Sequence, residues 1–147
     1  MPGYVLDTSA LLALFRQEKG AEEVVRILGS DREGMVHEVG GIQEFTVYLP
    51  FVALMELEYW FLRQYGPYET DTATRLMLSW RVTLVESYPD WRRAAARVKS
   101  AAGLSLADAW NASLALLLDA ELVHKDPEFD RVEGLRSLRL PYKPKTR

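Results

Sequence analysis

Apolar positions along the chain alternate between two periods. Short runs of buried-strand character at 4–7, 46–50, 82–86, 121–124 and 137–140 are separated by stretches in which apolar residues recur at helical spacing. The helical stretches fall at 10–16, 21–29, 52–65, 68–80, 91–102 and 106–119. Short strands handed on to helices predict an α/β domain with a central, mainly parallel five-stranded sheet flanked by helices, because parallel strands need a crossover that a helix supplies. Gly103 stands where the fifth helical stretch must stop, a place glycine often takes because it adopts left-handed backbone freely. Residues 30–44 follow neither period and carry Gly34, Gly40 and Gly41, so they read as a loop or an insertion. The pattern predicts one domain over 1–141 and a basic, proline-bearing tail over 142–147 that is expected to fray.

Bulk composition narrows the function classes. Of the 147 residues, 48% are hydrophobic and 27% charged, an ordinary globular balance. The longest apolar runs, such as "ASLALLL" at 112–118, are too short to cross a bilayer. The start "MPGYVLD" has neither a basic nor an apolar leader segment, so no secretory signal and no membrane partner are expected. The absence of cysteine excludes disulfides and thiolate metal sites and fits a cytoplasmic protein. A formal net charge of −3 offers nucleic acid no global attraction. Any such ligand needs a local basic patch or a bridging cation.

The acidic residues carry the candidate chemistry. In "YVLDTSALLAL", Asp7 stands where the first strand ends and a helical pattern begins. An aspartate there can cap the helix, and strand carboxyl ends in α/β sheets are also where ligands bind. Glu56 sits in "FVALMELEYWFLRQYG", four residues after Val52 and among apolar neighbours, where a carboxylate must be hydrogen-bonded, paired with a residue such as Arg63, or metal-bound. Glu58 falls on another face and reads as a solvated charge. Asp108, three residues after Ser105, resembles the partner in a capping box. Asn111 adds a second polar group one turn on, in a helix that is otherwise apolar almost all round. Asp126 opens "DPEFD" after a short strand, again as cap or ligand, while Glu128 and Asp130 read as surface charges. His124 has no second histidine or cysteine nearby, which argues against zinc. Because Asp7 and Asp126 both end strands of one parallel sheet, and Asp108 opens the helix between, these carboxylates can converge. Their mutual repulsion is ordinarily relieved by a hard divalent cation.

Four blocks, "VLDTSALLAL", "FVALMELEYW", "LSLADAWNASLAL" and "LVHKDPEFDRV", appear in order between residue 5 and about residue 132. Together they resemble the signature of PIN-domain ribonucleases, in particular the VapC-type toxins of prokaryotic toxin–antitoxin pairs. The resemblance implies that Asp7, Glu56, Asp108 and Asp126 are the catalytic acids. Asp7 and Asp108 would be direct ligands of Mg²⁺ or Mn²⁺, with Glu56 and Asp126 completing the set. Thr8, Ser9, Asn111 and His124 would support them from behind. It further implies cleavage of single-stranded RNA to 5′-phosphate and 3′-hydroxyl ends, a cognate antitoxin that occludes the site, and a homodimer. Some of the rings in the aromatic-rich helical patterns around Trp60, Phe61 and Trp80 are expected to be buried at the dimer interface. The sequence departs from the family at His124, where Thr or Ser is common, at Ala53, where Thr is common, and in the length of 30–44.

Substrate RNA would be gripped by local basic residues, for which Arg63, Arg75, Arg92, Arg93 and Arg97 are candidates. Two other classes compete with a nuclease. A catalytically degenerate PIN-like module would bind a protein partner only, although no member of the acidic set is missing here. A receiver-like phospho-acceptor domain would use Lys125 but needs an acceptor aspartate at a mid-chain strand end, where this chain has Glu56 in a helical pattern instead.

Overall fold

The computed structural model describes residues 3–29 and 45–141; the segments 30–44 and 142–147, read above as a loop and a frayed tail, lie outside the described residues. Chain order runs β1 (Gly3–Leu6), α1 (Thr8–Phe15), α2 (Ala21–Gly29), β2 (Thr46–Pro50), α3 (Phe51–Gln64), α4 (Pro67–Ser79), β3 (Thr83–Val85), α5 (Pro89–Ala102), α6 (Leu106–Leu118), β4 (Glu121–His124) and β5 (Ser137–Arg139). All five strands lie within the expected segments or one residue outside them. Helix α1 starts two residues earlier than its apolar spacing suggests, because the Asp7 side chain accepts from Ser9 N and draws the intervening residues into the first turn. The turn after Asp126 is a 3-10 helix of five residues, Pro127–Arg131. Helix α5 ends at Gly103, whose φ of 66° is the left-handed conformation expected of that position.

The sheet has strand order β3-β2-β1-β4-β5, and every pairing is parallel. From β1 the chain steps outward through β2 to β3, then returns to add β4 and β5 on the far side of β1. Since crossovers between parallel strands are right-handed, reversing the direction of travel moves the connecting helices to the opposite face. The core follows suit. Leu6, Val47, Leu49 and Val123 pack with Leu11, Ile27, Leu57 and Met77 on the face covered by α1 to α4. Val5 and Leu122 pack with Trp91, Leu104, Leu114 and Phe129 on the face covered by α5, α6 and the 3-10 turn. A sheet buried on both faces explains why the strands read as continuous apolar runs. A receiver-like order would be 2-1-3-4-5, so that alternative fails on topology. Among the described residues no single helix is long and apolar enough to cross a membrane.

The reversal leaves the carboxyl ends of β1 and β4 side by side, with a helix leaving β1 toward one face and the 3-10 turn leaving β4 toward the other. Such a switch point opens a crevice at the sheet edge. The Asp7 amide closes the seam by donating to Val123 O at 3.0 Å.

Trp91 anchors the α5–α6 layer. It is fully buried, its Nε1 donates to Trp110 O at 2.8 Å and Ser113 Oγ at 3.0 Å, and its ring meets those of Phe51 and Trp110 edge-on. Trp91→Ala is expected to cost about 3–5 kcal/mol in equilibrium denaturation, and Ser113→Ala about 1 kcal/mol. A Trp91→Ala loss below about 1 kcal/mol would show that this ring is not the anchor.

Candidate metal and catalytic site

Asp7 follows β1 directly and is only 3% exposed. One carboxylate oxygen, Oδ2, accepts from Ser9 N at 3.1 Å and from the Ser9 hydroxyl; the other, Oδ1, accepts from Asn111 Nδ2 at 2.8 Å. Cap and site are therefore not alternatives. Each carboxylate oxygen has more than one acceptor direction, and the cap consumes only some of them. Glu56, on the second turn of α3, is held by the Thr8 hydroxyl, which donates to its Oε1. Asp108 N donates to Ser105 Oγ at 3.2 Å, the expected half of the capping box, with the Asp108 carboxyl turned toward its acidic neighbours. Asp126 accepts from Glu128 N at 2.9 Å, which caps the 3-10 turn.

Electrostatics ties these groups together. The Asp108 carboxyl is pushed up from 3.8 to about 7, first by burial and then by the negative charges of Asp7, Asp126 and Glu56, against a lowering bond from Ser105. Glu56 is raised by burial and by Asp7, with the Thr8 bond opposing. All four expected acids thus share one field. Asp108, Asp126 and Glu128 also place one carboxylate oxygen each within 4.8 Å of one another.

Glu128 is exposed and paired with Arg131 at 3.3 Å, as a surface charge should be, and the cap it donates to Asp126 also brings it beside Asp108 and Asp126, a proximity the sequence does not show. Its only signal in the chain was its place in the first turn after Asp-Pro. Two readings need correction. Glu58 is half-buried and accepts from Thr74 Oγ1 at 2.9 Å, tying α3 to α4, so it is not simply solvated. Arg63 lies against Tyr59, its Nη1 being 3.4 Å from the hydroxyl, while Glu56 is held by Thr8. Among the other candidate arginines, Arg75 pairs with Asp71 at 2.9 Å and Arg93 with Asp90 at 2.7 Å on exposed helix surface. Asp130 pairs with Arg139 at the surface, as expected of it.

The residues present fit a hard divalent cation. The crevice gathers carboxylates, and the side-chain oxygen of fully buried Asn111, whose amide nitrogen is spent on Asp7, has no partner among the described residues. Oxygen donors without sulfur suit Mg²⁺ or Mn²⁺ rather than a soft metal.

A pH dependence follows for the metal-free protein. Because the folded-state value of Asp108 lies above the unfolded one, the folded chain keeps a proton that the unfolded chain has released. That contribution is complete below about pH 4 and is lost as pH rises to about 7. Thermal stability in EDTA is expected to fall across this window, and Asp108→Asn to flatten the fall. Identical pH profiles for both proteins would refute the assignment.

The chain matches the PIN domain over residues 4–135. No curated protein matches it. Its structure is similar to that of VapBC2 from Rickettsia felis bound to a promoter DNA fragment, with TM-score 0.71 and 16% identity over 95% of this chain and 99% of that one. DNA-bound VapBC from Salmonella typhimurium gives TM-score 0.70 and 16% identity over 95% and 98% of the two chains. VapC20 from Mycobacterium tuberculosis, a sarcin-ricin loop cleaving toxin, gives 0.62 and 17% over 92% and 98%. At such identities these likenesses speak for the fold, while the sequence match covers nearly the whole chain, and the chain belongs to the PIN-domain family.

Proposed function

We propose that this chain is a divalent-metal-dependent endoribonuclease that cleaves single-stranded RNA and acts in the cytoplasm as the toxin of a toxin–antitoxin pair. The observation that carries the reading is the meeting of Asp108, Asp126 and Glu128 beside Asp7 and Glu56, at the switch point between β1 and β4. The toxin role is supported by the fold shared with VapBC complexes.

Asp7 and Asp108 would hold the ion, with Glu56 and Asp126 completing the acidic set and Glu128 available from the rim. A bound Mg²⁺ or Mn²⁺ supplies positive charge that neutralises the carboxylates, polarises a phosphate and makes nearby water more acidic. The chain's own part is positional. Asn111 and Ser9 fix both oxygens of Asp7, so the carboxylate cannot rotate away. Thr8 orients Glu56 from the same helix start. With its carboxyl raised to about 7, Asp108 holds a proton below neutral pH while the cluster lacks a cation, and positive charge at the site would favour its release. The expected product ends are 5′-phosphate and 3′-hydroxyl.

Purified protein incubated with unstructured RNA is expected to cleave it in Mg²⁺ or Mn²⁺ and not in EDTA. Several kcal/mol of charge stabilisation is at stake, so Asp108→Asn is expected to lower the rate by about 100-fold or more. Ser105→Ala removes the cap and the Ser105 bond that lowers Asp108 but leaves every carboxylate in place, so it is expected to cost about 1 kcal/mol of stability and to keep most of the cleavage. Equal cleavage with and without chelator would overturn the metal mechanism. A pure, folded protein that cleaves nothing but captures an antitoxin would favour the catalytically degenerate, protein-binding reading.

A homodimer is part of the same proposal. Phe61 and Trp80 pack on Phe15 within the chain, with centroids at 5.0 and 5.9 Å, and Trp60 packs on Phe61. The exposed apolar groups beside them are Met55, Tyr59, Leu62, Tyr65 and Tyr68, and these are the side chains offered for burial. Light scattering at micromolar concentration should return twice the chain mass. The mass of a single chain would contradict it.

A further inference from the structure

We propose that His124 is a positioning residue whose Nδ1 lone pair sets the loop carrying Asp126 and Glu128, so that an acceptor at this one point is required for the acidic cluster to bind its cation. The proposal rests on the metal-site reading above and adds a role for a side chain that touches neither cation nor substrate.

His124 is the last residue of β4 and is fully buried, and its carbonyl is taken by Leu140 N at 2.8 Å. A ring of this size and polarity at the end of a central strand is an expensive choice where a leucine would fill the space. Among the described residues the ring makes one hydrogen bond. Nδ1 accepts from the backbone N–H of Asp126 at 3.1 Å, two residues on, which bends the chain sharply as it leaves the strand. An accepting Nδ1 must be unprotonated, so the ring's hydrogen is on Nε2. That Nε2 is buried without a partner among the described residues, so the side chain gives up one polar atom for the sake of the other. Phe129 packs against the ring with centroids 4.7 Å apart, and its own N–H donates to Asp126 O at 3.3 Å, so the loop wraps the imidazole and keeps it from turning.

The backbone donors of the loop complete the case. Lys125 N–H goes to Ser9 Oγ at 3.0 Å, and that hydroxyl donates to Asp7. Asp126 N–H goes to His124, Pro127 has none to give, and Glu128 N–H goes to Asp126 Oδ1. Every N–H from Lys125 to Glu128 is thus held by a side chain, and the first of these bonds ties the loop to Asp7 across the switch point. Of the three acceptors, Ser9 bonds Asp7 and Asp126 belongs to the acidic cluster itself. His124 is the one acceptor that bonds none of the acids' carboxylates, and removing it leaves the Asp126 N–H, now in a part-buried bond, without its acceptor. Groups that orient metal ligands from behind typically change metal affinity by about 10- to 100-fold when removed.

Two variants and one spectrum test this. His124→Asn places an amide oxygen where Nδ1 stands and keeps the acceptor; His124→Leu keeps bulk and loses it. Mn²⁺ affinity, measured by calorimetry on folded protein without RNA, is expected to fall at least about tenfold in His124→Leu and to stay within about threefold of wild type in His124→Asn. Should His124→Leu fail to fold, the comparison rests on His124→Asn and on the ¹⁵N imidazole spectrum of the unaltered protein, which must show the Nε2–H form. Equal Mn²⁺ affinity in folded His124→Leu and wild type, a defect in His124→Asn as large as in His124→Leu, or an Nδ1–H ring would each overturn the proposal. The binding measurement needs no cleavage. A dependence of Mn²⁺ affinity on the acceptor in a protein that cuts no RNA would therefore uphold the positioning role while the ribonuclease reading fails.

Discussion

Parallel strands point all their carboxyl ends to one edge, and in this sheet the reversal of strand order sets the ends of β1 and β4 next to each other. Into that gap the chain puts carboxylates from four different elements, and the repulsion among them is the constraint on which the rest of the arrangement depends. Burial and three neighbouring negative charges hold the Asp108 carboxyl near neutrality. Isolated, such a group would simply stay protonated. In company with Asp7, Glu56 and Asp126 it marks a place prepared for positive charge.

Much of the local hydrogen bonding keeps that repulsion from spreading the acids apart. Asp7 is clamped at both oxygens by Ser9 and Asn111, and Glu56 by Thr8. The Asp126 loop is fastened to His124 and, through Ser9, to Asp7 itself. Several of these bonds double as helix caps. The same contact that starts α1 also fixes an acid, so capping and ligand geometry are satisfied by one set of side chains. The two apolar layers, with Trp91 beneath one and Leu57 and Met77 in the other, give the edge a rigid base.

The fold was legible in the sequence because a sheet covered on both faces writes itself as short, unbroken apolar runs, and because Gly103 marks a helix end plainly. Asp7, Asp108 and Asp126 stood out as candidates from their places at strand ends and helix starts, and Glu56 from its apolar neighbours inside a helix. Legibility failed where a contact joins elements with no shared period. Nothing around Glu58 announces Thr74, sixteen positions on in α4. Glu128 looked like solvent-facing charge because its approach to Asp108 depends on how tightly the 3-10 turn closes over Asp126. Phe61 and Trp80 pack on Phe15 of the same chain, which the sequence did not announce, since an aromatic surplus does not say which rings the core will claim.

Counting the protons released when the cation binds tests the central claim most directly. Mn²⁺ titrated calorimetrically at pH 6, in buffers of differing ionisation enthalpy, reads that number without RNA, antitoxin or catalysis. If the acidic cluster is a cation site in which Asp108 waits protonated, binding should release about one proton per protein chain, and the release should disappear in Asp108→Asn. Mn²⁺ binding with no proton release, or none to the wild-type protein at all, would contradict the account.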